Sequence, residues 1–121
     1  MSRPVLTIHT EERDGVTVLH LSGRLVLEDG DELFRNAVNA LAERGRLNLV
    51  VDLAEVSYID SAGIGVLVGR YLSLRRRGGD MKLANLTARS HRVMTITQLL
   101  DVFDCFDSIN EAVGSFVIAN H

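Results

Sequence analysis

The stretch Leu47-Asn48-Leu49-Val50-Val51-Asp52-Leu53 constrains the fold more than any other part of the chain. Its apolar residues fall at odd and even positions alike, so both faces of an extended segment here demand cover. That pattern suits a central strand with helices on each side. The chain then runs through Tyr58-Ile59-Asp60-Ser61-Ala62-Gly63-Ile64-Gly65-Val66-Leu67 into a helical pattern that stops at Arg75-Arg76-Arg77-Gly78-Gly79. A hydroxyl, Ser61, therefore stands where a buried strand hands over to a helix. In an open α/β sheet that edge is where ligands and partners meet the chain.

Val5 to Thr10 and Val16 to Leu21 alternate in polarity. Asp14-Gly15 between them is a two-residue hairpin signal, because the favoured turn needs positive φ. Gly23-Arg24-Leu25-Val26-Leu27 reads as a short extended piece or the entry to a loop. Asp29 and Glu32 have the spacing of a capping box, and Leu33, Phe34, Ala37, Val38 and Leu41 follow at helical spacing up to Gly45. A second helix spans about Ala62 to Arg77, with Ile64, Leu67, Val68, Tyr71 and either Leu72 or Leu74 toward the core. Met81 to Leu86 reads as a strand. A third helix opens near Thr87 or Ser90 and carries Val93, Ile96 and Leu100, and Val102 to Phe106 reads as a short strand. Ser108 and Glu111 form another capping box ahead of Ala112, Val113, Phe116 and Val117. Strand–helix–strand units imply parallel pairing. The predicted fold is α/β: a mixed β-sheet with an N-terminal antiparallel hairpin, parallel central strands and about four helices.

At 121 residues the chain suits a single domain over 1–121. Its 46% hydrophobic and 24% charged residues are the balance of a soluble globule. A net charge of −3 gives no general attraction to nucleic acid or an anionic membrane. Arg75-Arg76-Arg77 is a cationic helix end, placed where the macrodipole favours it. No apolar run approaches the ~18 residues of a membrane span, and no basic segment followed by an apolar stretch marks a signal peptide. Direct membrane insertion is not expected. Cys105 is the single cysteine, so no intrachain disulfide forms and a cytoplasmic location is expected. Its apolar surroundings predict a small core residue rather than a nucleophile.

Gly63, Gly65 and Gly69 give G-x-G-x-x-x-G after a strand. The dinucleotide fingerprint has one residue fewer and lies before its helix rather than inside it. Turn geometry and close helix–sheet approach explain these glycines better, and no cofactor is expected. Ser61 does not sit in a nucleophile elbow, since Ile59 stands two residues before it and Ala62 follows. His9, His20, His91 and His121 have no metal-ligand spacing. A binding role fits better. Ser61 can cap the second helix. A phosphate on it would add about −1.5 to −2 charge, at a helix end that favours anions. The fold should tolerate that charge, whereas a partner fitted to the bare hydroxyl should not. Gly65, Val66, Gly69, Arg70 and Ser73, opposite the core stripe, are the expected contact face.

Asp60-Ser61-Ala62-Gly63-Ile64-Gly65-Val66-Leu67 resembles the signature of the STAS family, the bacterial anti-sigma-factor antagonists. Gly23-Arg24-Leu25 resembles the family's glycine-led segment before the first helix. Val50 to Tyr58 resembles its central strand, and Gly69-Arg70-Tyr71 and Gly78-Gly79-Asp80-Met81-Lys82-Leu83 its second helix and next strand. The resemblance runs from about Val5 to Phe116. It implies a cytosolic switch that is a kinase substrate and not an enzyme. In its unphosphorylated form such a protein binds an anti-sigma factor, often also an ATP-dependent serine kinase, and the sigma factor is released. Phosphorylation of the serine matched by Ser61 weakens binding, and a separate phosphatase reverses it. On this reading Asp60 shapes the turn and its charge, Ala62, Gly63 and Gly65 let the partner approach, and Val66, Gly69 and Arg70 extend the contact. Many members carry an aspartate shortly after the glycine-led segment; Val26 stands there here, followed by Glu28, Asp29 and Asp31. STAS domains also serve as non-phosphorylated docking subunits of transport or sensory complexes, which is the alternative function.

Overall fold

Asp14 and Gly15 take φ of 54° and 81° and turn strand β1 (Leu6–Arg13) back onto β2 (Val16–Leu25) in antiparallel register. Glycine and a short polar residue adopt this left-handed backbone at least cost. The chain continues through α1 (Gly30–Glu43), β3 (Asn48–Ile59), α2 (Ser61–Arg76), β4 (Asp80–Ala84), α3 (Ala88–Ile96), a 3-10 turn at Leu99–Asp101, β5 (Cys105–Phe106) and α4 (Ile109–Ala119). The sheet order is β1-β2-β3-β4-β5, with every pair after the hairpin parallel. The predicted mixed sheet is thus the one that forms, with β3 at its centre. The computed structural model describes residues 5–119, with side chains through Phe116. Val117, expected on the last helix's apolar stripe, and His121 lie outside the described side chains.

Alternation along the strands sorts the core onto two faces. Leu19, Leu21, Leu49, Val51, Leu53, Met81 and Leu83 pack with Phe34, Val38 and Leu41 of α1, Leu67 and Leu74 of α2, and Met94 of α3. Val16, Val18, Val50 and Ala84 lie on the other face under Ala112, Val113 and Phe116 of α4. Lys82 is buried there too; its Nζ donates to Ser115 Oγ at 2.6 Å and lies 4.3 Å from the Phe116 ring centroid. A hydroxyl and an aromatic face thus receive an ammonium that burial would otherwise penalise.

Several local expectations are corrected. Gly23 to Leu25 belong to β2, so only residues 26–29 connect it to α1. Asp29 is the N-cap of α1 but has φ −99° and ψ −60°, and its side chain caps nothing. A capping side chain works from extended backbone, so the Asp29–Glu32 box does not form. Ser108 Oγ does accept from the Glu111 N–H at 3.1 Å, as predicted. α3 opens at its Thr87 cap and closes at Ile96, before Gln98 takes φ 62°. Leu100 therefore falls beyond α3, Ile96 is exposed, and Met94 carries the core contact. β5 is only two residues long, and Cys105 on it is exposed rather than a core residue. Although the residue as a whole is exposed, partial desolvation of its thiol, with the Asp104 charge second, raises its pKa. A thiol so shifted is a poor nucleophile.

A polar network crosses the face that holds α4. His20 Nδ1 lies 2.7 Å from Asp52 Oδ2, and its Nε2 lies 2.6 Å from Glu11 Oε1. Asn85 and the Ala54 N–H donate to Asp52, Arg13 pairs with Glu11, and the His9 ring lies 6.0 Å from that of His20. Only the imidazolium donates from both nitrogens. Burial works against that charge, but the bonds to Glu11 and Asp52 outweigh it and raise the His20 pKa above 6.5. The stabilisation is therefore complete below 6.5 and is lost as pH rises through the higher folded value. For Asp52, burial is overcome by the Asn85, Ala54 and His20 bonds, which hold its pKa below 3.8. Its contribution is present above 3.8 and lost as pH falls. Denaturant unfolding across pH is expected to show greatest stability on the acidic side of neutrality. His20→Gln should flatten the decline above 6.5; an unchanged profile would remove His20 from the account.

Candidate functional site

Ser61 is the first residue of α2 and is exposed. Asp60, not Ser61, is the helix cap. Its backbone is extended, and its Oδ1 accepts from the Gly63 N–H at 2.9 Å. Its Oδ2 accepts from the Leu27 N–H at 3.1 Å, so one carboxylate ties the β2–α1 loop to the start of α2. Desolvation alone would raise this carboxyl, but the N–H groups of Gly63, Leu27 and Ala62 hold it below 3.8. Asp60 is thus a fixed anion beside Ser61. Gly63 is buried, and a Cβ there would lie 2.1 Å from the Leu25 carbonyl oxygen and 2.9 Å from Ile59 Cγ2. Gly63 therefore permits the close approach of α2 to the strand ends.

α2 is covered on three sides. Gly63, Leu67 and Leu74 face the sheet and are buried. Ile64, Val68 and Tyr71 pack partly buried against the same core, with the Tyr71 and Phe103 rings edge-on at 5.0 Å. Val66 is 4% exposed, so the expectation that it lies on the contact face is overturned. Arg70, also expected there, donates from Nη1 to Asn39 Oδ1 of α1 at 2.6 Å. The side left open carries Ser61, Gly65, Gly69 and Leu72 at helical spacing, with Leu72 45% exposed. A Cβ on Gly65 or Gly69 would meet nothing within 4 Å. Ala62 is half-buried at the edge of this stripe.

The sequence of residues 7–112 matches the family model of the STAS domain. The chain belongs to the STAS-domain family. An anti-sigma-B factor antagonist of Bacillus subtilis is 32% identical over 99 residues, covering 82% of this chain and 89% of the relative. The crystal structure of an anti-sigma factor antagonist from Mycobacterium paratuberculosis superposes with a TM-score of 0.81 at 24% identity, covering 95% of this chain and 97% of that one. The antagonist SpoIIAA in its unphosphorylated form has a TM-score of 0.77 at 20% identity, over 91% of this chain and 96% of that one. The Bacillus SpoIIAA in its phosphorylated form has a TM-score of 0.71 at 20% identity, over 91% and 99%. At these identities the three structures establish the shared fold.

In this STAS domain the surface around Ser61 includes residues that sequence reading missed. Leu27 is 62% exposed and is held to Asp60, yet the two are 33 positions apart in sequence. Tyr58 is 45% exposed, with the Arg89 guanidinium 5.9 Å from its ring centroid. Val26, where the resemblance would place an acidic residue, is half-buried, while Glu28 and Asp29 are exposed. A cleft of about 580 Å³ opens elsewhere, lined by Asn85, Thr87, His91, Cys105 and Asp107 among others, and Ser61 is not in its wall. Among the described residues no cluster of histidine, cysteine or carboxylate side chains could hold a metal ion. No described helix is long and apolar enough to cross a membrane.

Proposed function

We propose that this STAS domain is a cytoplasmic anti-sigma-factor antagonist whose binding is gated by phosphorylation of Ser61. The observation that carries the reading is the open stripe Ser61, Gly65 and Gly69 on α2. A glycine inside a helix costs about 0.5–1 kcal/mol relative to alanine. No neighbour in this chain demands glycine at either position. A helix that forgoes that stability beside an exposed hydroxyl presents bare backbone to another molecule. The names of the relatives supply the partner's class, an anti-sigma factor. The existence of SpoIIAA in phosphorylated and unphosphorylated forms supports the switch.

In this account the partner is an anti-sigma factor that is also a serine kinase and brings its own ATP, and a phosphatase resets Ser61. The bare hydroxyl fits the partner's surface. A phosphate would stand beside the Asp60 carboxylate and would have to be desolvated on binding. The direct test is incubation with the cognate anti-sigma-factor kinase and ATP, followed by mass spectrometry. One phosphate on Ser61, absent in Ser61→Ala, is expected. Binding without phosphate transfer would leave a docking module and contradict the switch.

Gly69 gives a second expected result. Gly69→Ala should raise stability by about 0.5–1 kcal/mol, measured by denaturant unfolding. Gly69→Glu should remain folded yet bind the partner more weakly. Unfolding of Gly69→Glu, or unaltered affinity, would remove this stripe from the interface.

A further inference from the structure

With Val66 buried, the expected contact face loses its apolar residue, and Leu27 stands out in its place. A single exposed leucine is ordinary on a protein surface. This one is held. Its N–H donates to Asp60 Oδ2 at 3.1 Å, and the same carboxylate caps the helix that begins at Ser61. The next residue, Glu28, takes φ 78°, a left-handed conformation that non-glycine residues rarely adopt. The loop is also fastened at its far end, where the Asp31 N–H donates to the Val26 carbonyl at 2.9 Å. These restraints keep a leucine 62% exposed, so they add nothing to the core. Strain held in place without a packing gain is a mark of binding sites, and a side chain ordered before binding loses less freedom on association.

We propose that Leu27 is an apolar anchor of the partner interface and that Asp60 is the positioning residue that presents it beside Ser61. The inference rests on the antagonist reading above and names a contact within it. Glu28, Asp29 and Glu32 are exposed around the leucine. The anti-sigma factor that fits therefore offers an apolar pocket with a lysine- or arginine-rich rim, next to the surface that meets the Ser61 hydroxyl.

The test is a double-mutant cycle, read by calorimetric titration against the purified anti-sigma-factor kinase that modifies Ser61. Leu27→Ala removes the anchor from an exposed position and should leave the unfolding midpoint unaltered. Asp60→Asn keeps one carbonyl oxygen to cap Gly63, and asparagine is as good a cap as aspartate. Its amide nitrogen cannot accept from the Leu27 N–H. Leu27→Ala is expected to weaken binding about tenfold or more. Asp60→Asn should weaken binding in the wild-type background and add little once Leu27 is alanine. The Leu27 amide should also exchange faster with solvent deuterium in Asp60→Asn. Wild-type affinity for Leu27→Ala, or effects of the two substitutions that simply multiply, would overturn the proposal while the antagonist reading stands. A wild-type protein that binds no anti-sigma factor would overturn both.

Discussion

Leu67→Ala is expected to destabilise the domain by about 2–5 kcal/mol, the usual cost of deleting a fully buried leucine side chain. Leu67 is 0% exposed and sits in the cluster shared by the sheet and α1 to α3. Its truncation removes apolar contact and leaves a void that the sheet, α1 and the Phe103 segment, packed on three sides of α2, cannot readily close. Leu72, five residues on, is 45% exposed. Leu72→Ala should change stability by less than about 0.5 kcal/mol, as surface substitutions do. The pair measures the rotation of α2 about its own axis, and with it which residues are free to meet a partner. Denaturant unfolding of both variants checks it. A loss below about 1 kcal/mol at Leu67, set against the range above, would mean the helix presents another face.

That rotation is where sequence reading was weakest, for a physical reason. An amphipathic surface helix has one apolar stripe, and its spacing identifies the buried side. α2 touches the sheet, α1 and the Phe103 side, so apolar residues surround most of it. Val66 and Leu72 look alike in such a pattern, yet one is 4% and the other 45% exposed. The central strand was legible because burial on both faces leaves no alternation, and the hairpin because Asp14-Gly15 answers a backbone requirement. Ser61 was legible as an exposed hydroxyl at a strand-to-helix junction. Its cap was assigned one residue late, since both Asp60 and Ser61 are good capping residues and only the extended backbone of Asp60 decides between them. Leu27 could not be read at all. Its significance comes from a bond to a residue on another strand end, and no local pattern encodes that bond.

Phosphorylation of Ser61 should leave the fold intact and lower affinity for the anti-sigma factor at least about tenfold, or about 1.4 kcal/mol. The fold is safe because Ser61 is exposed at a helix N-terminus, where the dipole favours an anion. Binding is not, because the phosphate adds about −1.5 to −2 charge next to the Asp60 anion, on a stripe where Gly65 and Gly69 leave the backbone open. Ser61→Ala should stay in the binding state with stability close to wild type, since Asp60 supplies the cap. Ser61→Asp should weaken binding less than phosphate does, having a single charge. The most direct measurement is calorimetric titration of enzymatically phosphorylated and bare protein against the purified anti-sigma factor. The account predicts that the bare form binds at least tenfold more tightly, about 1.4 kcal/mol; equal affinities for the two forms would contradict it.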